Sequence, residues 1–428
     1  MELVEAGFKM TDVGVIPEDW ELIPFDTIFS FHSTSNYSKA EMSDEGDVGC
    51  IHYGLIHAIP NTQYNLKNGI KYYVSTEQAT YEFVRNGDVI MVDASEDLEG
   101  INKSVEVSGI GDKKFISGLH TFLLRDKNKS LADNFRGIIL NSQMVKYQML
   151  QLAVGMKVFG VSKTQLIKVK LPLPPTLTEQ KAIATALSDV DALISSLDKL
   201  IEKKKKIKQG SMQELLTGKT RLARFDNGVG YKMTEVGRIP SEWEVLKLDK
   251  IVKFINGIAH EKLISNRSDY VVVNSKFISS GGAVIKNCDE LLNPAFEGDI
   301  LMVMSDVPNG RAIAKCYFVE TDNLYSVNQR ICRLSAISSN SKFLFYQLDR
   351  NPFYIQFDDG VKQTNLRKSE VLSCPIPLPP TLTEQKAIAT ALNDMDSEFK
   401  EFETKRDKYK QIKQGMMQEL LTGKTRLV

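Results

Sequence analysis

Three stretches of this chain carry residue types and spacings that could do chemistry. The string QELLTGKTRL, at residues 213–222 and again at 418–427, contains Gly-Lys-Thr. A phosphate-binding loop of the form GxxxxGK[ST] needs a glycine where this chain has Gln213 and Gln418. Such a loop also precedes a helix, whereas both strings close a long helical pattern. The expected structure is therefore a helix C-terminus, with Gly218 and Gly423 left-handed and basic residues beyond. NPFY, at residues 351–354, lacks the second proline of the NPPY tetrapeptide used in amino-methyl transfer. No GxGxxG precedes it, because GIGDKK at 109–114 places Lys114 where the third glycine belongs, so Asn351 is expected to cap a helix. His52 and His57 lie five apart in a strand-like context, which sets them on opposite faces and argues against a metal site. No Ser/His/Asp or Cys/His pattern is visible. The sequence points to no catalytic residue and no metal ligand.

The elements that would position a binding site are more informative. At 428 residues the chain can hold two or three domains, and 42% hydrophobic with 25% charged residues is ordinary for a globular protein. No apolar run reaches the roughly 20 residues needed to cross a bilayer. The N-terminal stretch lacks a signal pattern, and five cysteines without CxxC spacing suit a reducing compartment, so a cytoplasmic location is expected. Net charge is zero, but residues 1–170 carry 17 basic against 22 acidic side chains. That balance argues mildly against nucleic acid bound by bulk electrostatics.

The chain is a duplication. Residues 171–222 match 376–427 without a gap at an offset of 205, with 35 identities in 52 positions. A second repeat pairs KMTDVGVIPEDWE at 9–21 with KMTEVGRIPSEWE at 232–244, at an offset of 223. The order is A–B–A′–B′, with B nearly constant and A divergent. The boundaries read as 1–170, 171–222, 223–375 and 376–428.

The B segments read as long helices. Pro-Pro excludes helix before Thr176, and Thr-Leu-Thr-Glu then supplies a capping box, Thr176 with Glu179 and Thr381 with Glu384. About 40 residues without proline follow, a helix of roughly 60 Å. Ile183, Leu187, Val190, Ile194, Leu197 and Ile201 form a 4-3-4-3-4 seam. Ile388, Leu392, Met395, Phe399, Phe402 and Tyr409 repeat it. The two seams are expected to pair as an antiparallel coiled coil, which brings the lysine run 203–206 near Asp394 and Asp396. Gly210 and Gly415 are expected to kink or break the helices. Leu193, Leu200, Leu215 and Leu216 remain for a partner or for the A segments. The A segments carry β-type runs, YYVS, GDVIMV and TFLLR in the first and DYVVV, GDILMVM and QRICRL in the second. Helical stretches follow near 132–152 and 342–357. Gly-x-Lys loops at 155–157 and 360–362 close each segment. The fold class is α+β, with two compact domains separated by helical spacers.

This architecture, with its paired LPLPPTLTEQKAIA and IPLPPTLTEQKAIA segments, IPEDWE and IPSEWE, and LLTGKTRL tails, resembles the specificity subunit of type I restriction–modification systems. The resemblance covers essentially the whole chain. It implies two α/β target-recognition domains, each reading half of an interrupted double-stranded DNA sequence. It also implies an antiparallel helical spacer with an internal pseudo-twofold, which sets half-site distance and docks two modification subunits. S-adenosylmethionine, ATP and Mg would belong to those subunits and to a restriction and translocase subunit, and this chain would bind no cofactor and do no chemistry. The acidic first A segment would then need a local basic patch.

For DNA contacts the polar loops are the candidates: Ser35, Asn36, Tyr37 and Lys39 in STSNYSK, with Lys157 and Lys163 near the first Gly-x-Lys loop. The second A segment offers Lys276, Asn309, Arg311, Gln329, Arg330, Lys362, Gln363 and Asn365. Arg and Lys suit guanine, and Asn and Gln suit adenine. A coiled-coil scaffold presenting two modules that bind no nucleic acid is the rival reading, supported by the neutral charge. A sequence-selective footprint separates the two.

Overall fold

The computed structural model describes every residue except 1–5, 68, 98–99, 154–158, 229, 261, 266–267, 308–309, 311 and 428. It divides into two compact units, Met1–Lys199 with Glu403–Val428, and Leu200–Phe402. The division falls inside both long helices, so each unit takes one A segment together with part of each helix. The four consecutive segments of the sequence are thus redistributed into two bodies, the first discontinuous and the second a single stretch.

Each A segment is built around an apolar strand that no residue exposes to water. In the first unit this is Val89–Val92, buried throughout. It sits third in a five-stranded sheet ordered Phe29–His32, Thr121–Asp126, Val89–Val92, Ser104–Ser108, Gln63–Asn65. A three-stranded sheet of Lys114–Ser117, Val48–Ile51 and Tyr73–Val74 completes it. The second unit repeats the plan with Ile300–Val303, also fully buried, in the order Val252–Asn256, Ile331–Ala336, Ile300–Val303, Cys316–Phe318. Its smaller sheet is Asn287–Cys288, Tyr270–Val273, Tyr325–Val327. The GD-initiated runs are therefore equivalent strands, and continuous burial on both faces explains their unbroken apolar sequence.

The helical stretch near 132–152 is two helices, Phe135–Leu140 and Gln143–Leu152, because the Ser142 hydroxyl accepts from Val145 N and starts a new helix. In the second unit Ser341–Leu348 is followed by Pro352–Ile355, where Asn351 accepts from Phe353 N at 2.9 Å as the expected cap. The strand-like reading of His52 and His57 is corrected. His52 caps the helix Tyr53–Ala58 through Nδ1, and His57 lies in its last turn.

The long helices run Leu177–Leu216 and Leu382–Leu420. They continue through Gly210 and Gly415, so the expected kinks are absent. Glycine costs a helix interior only about 1 kcal/mol, which burial along the rest of the stripe outweighs. Of the seam residues, Ile183, Leu187, Ile194, Leu197, Ile201, Ile388 and Leu392 are buried, while Val190, Met395, Phe399, Phe402 and Tyr409 are half-buried. The antiparallel sense is borne out within each unit. In the first, Asp191 meets Lys413 at 2.6 Å and Asp198 meets Arg406 at 3.6 Å, so one helix ascends as the other descends. In the second, Lys204 meets Glu398 at 2.6 Å and Lys208 bonds Asp396. Across the helix pair the acidic partner of the lysine run is therefore Glu398, while Lys205 meets Glu202 of its own helix at 3.5 Å and packs its ammonium over the Phe399 ring at 4.9 Å.

Asp396 also accepts a hydrogen bond from the Tyr346 hydroxyl at 2.8 Å. Asp396→Lys is expected to lose that bond and the Lys208 pair, costing about 1–3 kcal/mol in denaturant unfolding. A variant as stable as the parent would show that the pairing contributes nothing.

Candidate nucleic-acid interface

The repeated words of the sequence converge in each unit on one clasp. In the second unit the first long helix ends at Leu216 and Gly218 takes φ +67°, as its position past the helix end requires. A Cβ on Gly218 would lie 2.6 Å from Pro240 Cδ and 3.0 Å from Trp243 Cη2, so the tail is pressed on IPSEW. Arg221 then reaches Glu384, the third residue of the other helix, in a bidentate pair at 2.9 and 2.8 Å, and adds Glu242 at 3.1 Å. The first unit repeats this with Gly423 against Pro17 and Trp20, and with Arg426 bidentate to Glu179 at 2.5 and 2.8 Å and to Asp19 at 2.9 Å. Arg426 holds the Asp19 carboxyl below the usual carboxylate range. The terminal repeat thus lies against the first A segment.

The neighbouring glutamine has its own task. Gln180 accepts from Ala132 N at 3.0 Å and donates to Pro174 O at 3.2 Å. Gln385 accepts from Asn340 N at 2.8 Å and donates to Pro379 O at 3.0 Å. The PLPPTLTEQ words therefore fasten a helix start to the A segment of the same unit. The Thr176 and Thr381 caps form, each accepting from the glutamate N at 3.2 Å. The glutamate side chains, however, take the arginines rather than completing a capping box. Leu215 and Leu216 pack with Trp243, Ile388 and Leu392, which assigns them to the unit's own core.

Apart from the clasp, the A segment presents polar side chains along one edge. In the second unit the buried strand runs on into Ser305–Asp306, which pairs antiparallel with Thr364–Asn365 at the exit of the Gly-x-Lys loop. A cavity of about 390 Å³ opens there, lined by Asn256, Met304, Ser305, Gln329, Arg330, Gln363, Asn365 and Leu366. Four candidates from the sequence, Gln329, Arg330, Gln363 and Asn365, meet in it. Gln363 Nε2 donates to Ser305 Oγ at 2.8 Å and to Asn365 Oδ1 at 3.3 Å. Among the described residues no carboxylate lines the cavity. The nearby Asp306 is occupied, accepting from Ala312 N at 2.6 Å and Ile313 N at 3.1 Å.

The first unit builds the same frame from Ala94–Ser95 and Phe159–Gly160. Met304 N donates to Arg330 O at 2.9 Å in one unit, and Asp93 N donates to His120 O at 3.2 Å in the other. His120 therefore occupies the place of Arg330. Its Nδ1 lies 3.2 Å from Asp93 Oδ1. Burial raises the Asp93 pKa, and His120 opposes it. From His120 a run of rings continues through Tyr53 at 5.5 Å to His52 at 5.8 Å and Tyr72 at 4.8 Å, where the Lys39 ammonium lies over the ring at 5.6 Å. Lys103 donates to His57 O at 2.9 Å, and burial lowers both the Lys103 and His57 pKa values. Basic groups interleaved with aromatic faces suit base and backbone contact. Sequence reasoning reached Lys39 here but missed Tyr53, Tyr72, Asp93, Lys103 and His120. The concentration of four of the five histidines in residues 1–170 was the available signal.

The other candidates separate. Ser35 is withdrawn, since it is 3% exposed and its hydroxyl lies 3.5 Å from Cys50 Sγ. Asn36 is exposed, while Tyr37 is half-buried and spends its hydroxyl on Gln78 O at 3.0 Å. Lys163 is exposed, with its ammonium 5.6 Å over the Phe31 ring. Lys276 and Lys362 are exposed, the latter with its backbone N bonded to Asp359. Lys157, Asn309 and Arg311 lie outside the described residues. The first unit also holds a cavity of about 610 Å³ bordered by Asp88, Glu106, Arg125, Asp126 and Arg136. These charges pair with one another: Arg125 with Asp88 at 2.8 Å, Arg136 with Glu106 at 3.0 Å and with Asp126 at 3.3 Å. Part of the acidic excess of this segment is thereby internal. Among the described residues no group of His, Cys, Asp and Glu could hold a metal ion, and no helix is long and apolar enough to cross a membrane.

Residues 17–209 and 240–414 match the family described as type I restriction modification DNA specificity domain. Two curated relatives from Methanocaldococcus jannaschii, the putative type I restriction enzyme MjaX specificity subunit and the MjaVIII specificity subunit, are each 28% identical over 443 residues. Both alignments cover 99% of this chain and 97% of the relative. The type I S subunit from M. genitalium has a similar fold, with TM-score 0.56 at 16% identity over 96% of this chain and 97% of that one. A chain from a structural study of complex assembly and conformational transition in the type I R-M system gives 0.55 at 14%, over 95% and 98%. Two divergent A segments held by a duplicated clasp, and a family match spanning most of both repeats, place this chain in the type I restriction–modification specificity-subunit family, whose members are non-catalytic.

Proposed function

We propose that each unit reads one half of a bipartite, interrupted double-stranded DNA sequence. In this reading the long helices fix the separation of the half-sites and dock two modification subunits. One observation carries it: the two units share a backbone frame at the polar edge yet place different side chains on it, Arg330 with Asn365 in one and His120 with Asp93 in the other. Constant geometry with variable base-facing groups is what reading two unrelated half-sites demands. S-adenosylmethionine, ATP and Mg then belong to the modification and restriction subunits, and this chain contributes selection alone.

The test is a footprint of the full chain assembled with its modification subunits, together with a map of N6-methyladenine across the host genome. Two short protected or methylated elements separated by a fixed unread gap are expected. No footprint on any sequence would favour the scaffold reading instead.

A further inference from the structure

We propose that Arg330 reads a guanine in the half-site taken by the second unit, and that Gln363 is a positioning residue for that contact. The assignment rests on the half-site reading above. Arg330 stands in the turn before the strand Ile331–Ala336, with its backbone fixed by Met304 N at 2.9 Å. Its side chain is exposed, and its guanidinium has no hydrogen-bond or ion-pair partner among the described residues. It borders a cavity of about 390 Å³ that no carboxylate lines among the described residues, so its donors are available to a ligand that only accepts.

Guanine O6 and N7 and a phosphate both fit a planar guanidinium. The comparison of the two units favours the base. A phosphate anchor carries no sequence information and could be the same in both, whereas this position holds His120 in the first unit, tied to Asp93. Gln363 is placed differently from a reader. Its Nε2 is directed to Ser305 Oγ at 2.8 Å and Asn365 Oδ1 at 3.3 Å, so the amide donor that bidentate recognition of adenine needs is already spent on the protein. It braces the wall beside Arg330.

The full chain, assembled with its modification subunits, is used to select from duplexes randomised across both half-sites. Arg330→Ala is expected to lose a guanine preference of about ten- to hundredfold at one position of one half-site, with the other half unchanged. Gln363→Ala is expected to weaken preference at that same position only. Because Arg330 is exposed, melting curves of its variant should match the parent. Equal weakening on all sequences, with the salt slope reduced by about one, would make Arg330 a phosphate contact and overturn the assignment. Unchanged base preferences would overturn it as well. A parent complex that selects no sequence at all fails earlier, at the half-site reading itself, and is recognisable as such.

Discussion

Arg221→Ala is expected to cost the second unit about 3–5 kcal/mol, one of the two largest single-residue effects foreseen for this protein. The reason is the group left behind. Glu384 is 2% exposed, and both its oxygens are taken by Arg221, at 2.9 and 2.8 Å. Alanine removes the cation but leaves the carboxylate in its buried place, where desolvation is no longer offset. Glu242 and Asn227 also lose a donor, at 3.1 and 3.2 Å, though both are exposed enough for water to replace it. Denaturant unfolding of the full chain measures the effect. A companion double variant, Arg221→Met with Glu384→Gln, should recover most of the loss, because no uncompensated charge then remains. If the single variant loses under 1 kcal/mol, the clasp is decoration. The equivalent pair Arg426–Glu179 should respond in the same sense in the first unit.

The second large effect is expected at Gly257. Its backbone N donates to Ile331 O at 2.9 Å, and a Cβ added there would lie 1.8 Å from Asn328 O and 2.7 Å from Ile331 O. Those atoms are backbone, so no side-chain rotation relieves the overlap. Gly257→Ala must therefore move the turn that carries Asn328, Gln329 and Arg330, at a cost on the order of 3 kcal/mol. Stability and recognition should fall together, with any base preference of the second unit blurred and that of the first intact. A Gly257→Ala variant with parental melting and parental selectivity would show that the turn is not held as the structure places it.

These two residues mark how far the sequence alone reaches. Duplication, helix periodicity and apolar runs were all legible, because 3.6-residue stripes and fully buried strands leave signatures within a few residues of one another. So were the left-handed glycine after each helix and the Asn351 cap, which depend on immediate neighbours. The glycines inside the helices misled, since a local propensity of about 1 kcal/mol is small beside packing along 40 residues.

What only the tertiary structure decided is who meets whom at long range. Arg221 and Glu384 are separated by 163 residues, and Arg426 and Glu179 by 247. No spacing rule could show that the repeated TGKTRL, IPxxW and TLTEQ words are parts of one clasp. Equally, Ser35 and Asn36 are adjacent polar residues, yet one is buried against Cys50 and the other faces water. Composition could not show that Arg330 and His120 occupy one position either, because their equivalence lies in a shared backbone hydrogen bond. The sequence by itself determined that two divergent modules are carried on one repeated scaffold. Folding decided which side chains those modules present, because accessibility and pairing are properties of neighbours distant in the chain.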